Sequence, residues 1–188
     1  MKFDAARFSA LLLLVAVFAL PLEAPAQQLT AENKIITAAK EGDLPALRKA
    51  IIHQGNVNSR DRRGRTPLIL AVLNSDLDMV EVLIGERALL DLVDKEGAAA
   101  LHRAIDKKLV EIAGALLDAG ADADVERREG ETALMRAAAL GDLELVGLLL
   151  AAKADLERTD YTGRTALDHA RDNRQSKVAE SLVRAGAR

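Results

Sequence analysis

From Asp61 onward the apolar and polar positions of the chain repeat with a step of 33 residues. Gly64, Gly97, Gly130 and Gly163 keep that step, as do Leu68, Leu101, Leu134 and Leu167, and Ala71, Ala104, Ala137 and Ala170. A pair of apolar residues follows in each copy: Leu83-Ile84, Leu116-Leu117, Leu149-Leu150 and Leu182-Val183. Self-similarity at a fixed period of this size marks a repeat architecture. The units read as 61–93, 94–126, 127–159 and a closing unit 160–188, preceded by a degenerate N-terminal cap unit over 29–60.

Within a unit the pattern changes from polar to helical. A polar stretch with Gly at its fourth place predicts a tight turn, because Gly tolerates positive φ. Thr66-Pro67 then predicts a helix start: Thr caps free N–H groups, and Pro fits the first helical position, whose N–H has no partner. Leu68, Ala71 and Val72 fall on one helical face. A break at Asn74-Ser75, with Gly141 in the corresponding place of a later unit, precedes a second helix that turns Leu77, Val80, Leu83 and Ile84 inward. That helix should end on a left-handed residue. Gly120 and Gly186 suit it, whereas Arg87 and Lys153 would be strained there. Ala99-Ala100 lacks the Thr-Pro start, so the first helix of unit 94–126 is expected to begin less firmly than its neighbours. One such helix pair cannot bury its apolar face alone, so the pairs must stack.

Gly64-Arg65-Thr66-Pro67-Leu68, Ala100-Leu101-His102-Arg103-Ala104 and Gly120-Ala121-Asp122 resemble the ankyrin signature G-x-T-P-L-H-x-A…G-A-D. The likeness covers 29–188, nearly everything after the N-terminal segment. It implies an all-α fold: an ankyrin-repeat solenoid of about five helix-turn-helix units with finger-like β-turns and a concave surface. It also implies a partner bound through variable finger and first-helix residues, and no catalysis. The chain departs from the signature in places. The signature His stands only at His102, with Ile69, Met135 and Asp168 in its place elsewhere. The cap unit has no finger glycine, and its closing loop, Gly55-Asn56-Val57-Asn58, reads one residue short.

The N-terminus has another character. Lys2 and Arg7 precede an uncharged apolar run, Ala10 to Leu20, closed by Pro21 and followed by the small residues Ala24-Pro25-Ala26. This is the layout of a secretory signal peptide over 1–26, with cleavage after Ala26; Asp4 is its one atypical residue. A retained membrane helix would need about 20 apolar residues. No stable membrane anchor is therefore expected after cleavage, and the location expected is periplasmic or secreted. The 188 residues contain no Cys and no Asn-x-Ser/Thr site. That fits a bacterial periplasmic protein stabilised by packing alone.

Composition narrows the function. Aromatic residues are 2% of the chain and the net charge is −3, which argues against nucleic acid as a partner. His53, His102 and His169 lie in different units, so neither a metal site nor a cofactor site is expected. His102 should tie neighbouring backbones together. Adjacent helical residues such as Asp168 and His169 do not face each other, so they make no dyad. Asp61, Asp94 and Asp160 recur at one position, with Arg127 in the remaining copy, which is the pattern of turn chemistry. No catalytic set is expected.

Charge by face is more telling. Fingers and first helices of the three full units (61–74, 94–107, 127–140) hold nine basic and six acidic residues, a balance of +3. The second helices and closing loops (75–93, 108–126, 141–159) hold four basic and fourteen acidic residues, a balance of −10. One reading is a solubilising acidic back. The other is a basic face that steers towards an acidic surface on a partner. The candidate contacts are Arg62, Arg63, Arg65, Lys95, Glu96, Arg103, Arg128, Glu129, Arg136, Tyr161 and Arg164. Tyr161 also reads as an exposed turn tyrosine. The function expected is a monomeric, non-catalytic scaffold or adaptor that binds a protein. The alternatives are an exported effector acting on a host protein, and a small enzyme or enzyme inhibitor using the groove.

Overall fold

The computed structural model describes residues 34–188; the signal segment expected over 1–26 lies outside them. The described residues form helices and no strands. They are α1, described over 34–41, then α2 (Leu44–Ile52), α3 (Pro67–Leu73), α4 (Leu77–Gly85), α5 (Ala100–Asp106), α6 (Val110–Asp118), α7 (Ala133–Leu140), α8 (Leu143–Ala151), α9 (Ala166–Asp172) and α10 (Ser176–Ala185). The first helices α3, α5, α7 and α9 pack side by side in one layer, and α4, α6, α8 and α10 in a second. The expected all-α stack of five helix pairs is what the chain forms.

Short side chains at the periodic positions make this stacking possible. Ala71, Ala104, Ala137 and Ala170 are fully buried between first helices, and Leu83, Leu116, Leu149 and Leu182 are fully buried beneath the second layer. A core of small and aliphatic residues packs densely without aromatic anchors. Capping follows the sequence closely. The hydroxyls of Thr66 and Thr132 accept from the N–H of Ile69 and Met135 at 3.3 and 3.4 Å. Asp43, Asp76 and Asp142 cap the second helices, accepting from Ala46, Met79 and Leu145.

Arg87 and Lys153 adopt φ of 58° and 64°, the left-handed conformation expected of them. Ser75, Lys108 and Arg174 do the same, at the position where Gly141 stands between α7 and α8. Gln54 is also left-handed, at 62°, and it rather than Gly55 is the counterpart of Arg87. Gly55 N–H bonds to Ala50 O as Ala88 N–H bonds to Leu83 O. The closing loop of the first described pair is therefore full length, and the one-residue shortening read from its sequence is corrected. Gly55 takes the place of an Ala because a Cβ there would lie 2.5 Å from Ile35 Cδ1 and 2.9 Å from Ala50 O. Replacing Arg87 or Lys153 by Gly removes a side chain from strained backbone. Each change should stabilise the protein by about 1 kcal/mol in urea denaturation; no change, or a loss, would refute that strain.

The start of α5 shows how a missing cap is partly replaced. Ala99 offers no acceptor, but the Nδ1 of His102 accepts the Ala99 N–H at 3.2 Å. Its Nε2–H then donates to Val125 O at 2.9 Å, which ties α5 to the loop before the next finger. This wiring requires the neutral ring. Burial pushes the imidazole pKa below its ordinary value, and Arg127 nearby adds to that, outweighing the Val125 carbonyl. The His102 N–H still lacks the hydroxyl that serves Ile69 and Met135. Ala99→Thr should supply it and stabilise by about 0.5–1 kcal/mol. Hydrogen exchange would show the gain at 100–103; unchanged protection there would mean that His102 already completes the cap.

Candidate partner-binding surface

Three of the four fingers are each built on one acceptor side chain. Asp61 Oδ1 accepts from the N–H groups of Arg63 and Arg65 at 2.8 and 2.9 Å. Asp94 Oδ1 does so for Glu96 and Ala98, and Asp160 Oδ1 for Thr162 and Arg164. The recurring Asp is turn chemistry, as its spacing suggested. In the finger that begins at Arg127 no such acceptor exists. There a 3-10 turn, Arg128–Gly130, forms with Glu129 at φ 68°. On the opposite loops, Asn58, Asp91 and Asp124 accept from the N–H of Leu89, Asp122 and Asp155 in the following loop. Part of the acidic content of the back is thus spent on joining one repeat to the next.

The second oxygen of each finger Asp is taken up by a cation. Arg65 binds Asp61 at 2.7 Å, and its side chain is 20% exposed. Arg103 bridges Asp94 at 2.6 Å and Glu96 at 2.7 Å, 18% exposed. Asp106 holds Arg127 at 2.9 Å and Arg136 at 2.8 Å, and Arg127 also pairs with Glu131. Asp160 holds Arg164 at 3.1 Å and His169 at 2.9 Å. Asp168 instead bonds the Thr165 N–H and hydroxyl, so it and His169 form no dyad.

These pairs change the picture of the basic face. Of the sequence candidates, Arg65, Glu96, Arg103, Arg136 and Arg164 are committed to ion pairs within the chain. Arg62, Arg63, Lys95, Arg128, Glu129 and Tyr161 are exposed and make no ion pair. Four of them, Arg62, Lys95, Arg128 and Tyr161, occupy one and the same place in successive fingers. Adjacent fingers are joined by Lys95 N–H to Arg63 O at 2.9 Å and by Tyr161 N–H to Glu129 O at 2.8 Å. Arg128 reaches the Lys95 carbonyl at 3.0 Å. Sequence counting did not separate free from paired arginines: Arg65 and Arg164 pair four residues away inside their own fingers, while Arg136 pairs with Asp106, 30 residues away in the preceding repeat.

The described residues hold no cluster of His, Cys, Asp or Glu suited to a metal ion, and no helix among them is long and apolar enough to cross a membrane. A shallow hollow lies between α9 and α10, lined by Arg171, Ala179, Glu180, Val183 and Arg184, away from the finger tips.

Stacked helix pairs, fingers closed by Asp side chains and a repeating Leu/Ala core define a repeat solenoid of the interaction-module class. The family model for ankyrin repeats (three copies) matches residues 35–127 and 111–188, and the chain belongs to the ankyrin-repeat family. Among curated proteins it is similar to a transient-receptor-potential-like protein of Drosophila melanogaster, 42% identical over 69 residues. That match spans 34% of this chain and 6% of the fly protein. Repeats of this family generally mediate protein–protein interaction.

Proposed function

We propose that this protein is a non-catalytic scaffold or adaptor that binds a protein partner through its finger face. In this reading residues 1–26 are a signal peptide and 27–188 the working domain, in the periplasm or outside the cell. The observation that carries the proposal is the exposed row Arg62, Lys95, Arg128 and Tyr161, with Arg63 beside it. These side chains serve neither the core nor an internal ion pair, while every other arginine on the face does. Unspent arginine and lysine at the tips would steer an acidic surface towards the groove. Arg65 belongs to the finger itself, since it clamps Asp61; reversing its charge would disturb the fold as well as the surface.

The test uses exported protein whose N-terminus, read by sequencing, is Gln27. Affinity capture should recover a partner with the wild type. A variant carrying Arg62→Glu, Arg63→Glu, Lys95→Glu and Arg128→Glu should keep its helical circular dichroism and lose that partner by tenfold or more. Raised salt should mimic the loss. Reversing Glu81, Glu111 and Glu144 on the back should leave capture intact. The opposite result, with capture surviving at the fingers and abolished at the back, would move the interface to the other face.

A further inference from the structure

The finger-tip row has a spacing as well as a charge. Its members are one repeat apart, and the repeats advance by the packing distance of neighbouring helices, about 8–10 Å. A bound segment must present side chains on one face at that step. An extended β-strand alternates faces, so its same-face side chains recur at about 6.6 Å or about 13 Å, and neither matches. A polyproline II helix has three residues per turn and rises about 3.1 Å per residue, so positions i, i+3 and i+6 share a face at about 9 Å intervals.

The chemistry along the row runs in the same sense. Arg62, Lys95 and Arg128 are exposed cations without a carboxylate partner, and the row ends in Tyr161, 77% exposed. Tyr161 is held in place. Its backbone N–H bonds Glu129 O, and its ring lies over Gly130, where a Cβ would come within 2.6 Å of ring Cδ1. One side of the ring is thus fixed against the neighbouring finger, and the residue is otherwise open to solvent. Aromatic side chains on a rigid frame are the usual receivers of proline rings in polyproline II segments. The flanking position reads Arg63, Glu96, Glu129 and Thr162 across the same fingers. Arg63 is free, Glu96 is held by Arg103 and Glu129 is free, so attraction for an anion is greatest at the first two fingers and falls beside Glu129.

We infer that the finger-tip row Arg62–Lys95–Arg128–Tyr161 binds an acidic, proline-rich segment of the partner in the polyproline II conformation, with a carboxylate at every third residue and a proline or apolar residue on Tyr161. This rests on the finger-face reading above and gives the partner's chemistry.

The experiment is fluorescence anisotropy with the purified full-length chain and two labelled synthetic peptides of identical composition. One repeats Glu-Pro-Pro three times before a closing Pro-Leu. The other is a permutation that places its glutamates at alternate positions. The first should bind about tenfold more tightly than the second. The combined Arg62→Ala, Lys95→Ala and Arg128→Ala variant should weaken it by tenfold or more, since each exposed pair contributes only modestly. Tyr161→Ala should weaken it severalfold with little change in salt dependence. Circular dichroism and urea midpoints equal to wild type would show that these variants fold. Equal affinity for the two peptides would reduce the row to a general attraction for polyanions and overturn the inference. Binding of neither peptide would overturn it too. If tip-row charge reversal still abolished capture of the protein partner in that event, the finger-face reading would stand and only its polyproline II form would fall.

Discussion

Asp160→Ala should lower stability by about 3 kcal/mol, and the loss should be concentrated in α9 and α10. The residue is 6% exposed. Its Oδ1 accepts from the Thr162 and Arg164 N–H groups and the Thr162 hydroxyl, and its Oδ2 from Arg164 and His169. Alanine leaves the Thr162 and Arg164 amides and His169 without this acceptor, while Arg164 keeps the Thr162 hydroxyl oxygen at 2.9 Å, and losing a buried acceptor that several donors share costs about 1–3 kcal/mol. Asp160→Asn keeps the turn acceptor but loses the charge, and should cost about half as much. The same residue sets an acid limit. Burial by itself would raise its pKa, but the Thr162 hydroxyl, the Arg164 and Thr162 amides and His169 outweigh it and hold the carboxyl well below the usual carboxylate range. A depressed folded pKa means that the unfolded chain takes up the proton first. The contribution of Asp160 is therefore complete above the ordinary Asp value of about 3.9 and is lost as pH falls below it. Urea denaturation of wild type and Asp160→Ala between pH 7 and pH 3 should show the two curves converging as the pH drops. Parallel curves would mean that the ionised carboxylate is not what holds the last finger.

Leu116→Ala should cost about 3 kcal/mol as well, with a different signature. Leu116 is fully buried in α6, in the middle of the stack, and its counterparts Leu83, Leu149 and Leu182 are equally buried. Truncation forfeits the transfer free energy of the removed atoms and leaves a cavity, which costs about 2–5 kcal/mol for a buried leucine. In a solenoid each pair touches only its neighbours, so stability is close to a sum of repeat and interface terms. A weak central pair uncouples the two ends. Leu116→Ala should therefore broaden or split the urea transition. Leu182→Ala, at the end of the stack, should release α10 in hydrogen exchange while α3 to α6 stay protected. A single sharp transition for Leu116→Ala, merely shifted, would show that coupling across the stack is stronger than nearest-neighbour packing provides.

The fold was legible in the sequence because it is written four times over. Leu68, Ala71 and Leu83 with their counterparts settle which faces are buried, Thr66 settles where the first helix begins, and the recurring finger Asp settles the turns. These are local effects: capping, turn formation and helical periodicity act within a few residues. The strain at Arg87 and Lys153 followed from aligning them with Gly120 and Gly186. The same alignment against Gly141 would have found Ser75, Lys108 and Arg174.

Tertiary structure decided what each charged or irregular residue is for. The signature position is filled by Ile69, His102, Met135 and Asp168, in three different ways: buried apolar contact for Ile69 and Met135, a bridge from Ala99 to Val125 for His102, and a capping carboxylate for Asp168. Gly55 looks like a misplaced loop glycine until Ile35 is seen against it. Above all, nine basic residues on the finger side do not make a uniformly basic face. Arg65, Arg103, Arg127 and Arg136 are neutralised by Asp61, Asp94, Glu96, Asp106 and Glu131, whereas Arg62, Arg63, Lys95, Lys107 and Arg128 have no carboxylate partner, Lys107 donating instead to the Leu73 carbonyl at 2.6 Å. A helix or a turn is determined by neighbours in the chain, so one sequence suffices to read it. Arg65, Arg103 and Arg164 find their carboxylates within their own repeat, but the pairs of Asp106 with Arg127 and Arg136 depend on which side chains the stacking brings within about 3 Å, and that distance exists only once the repeats have packed.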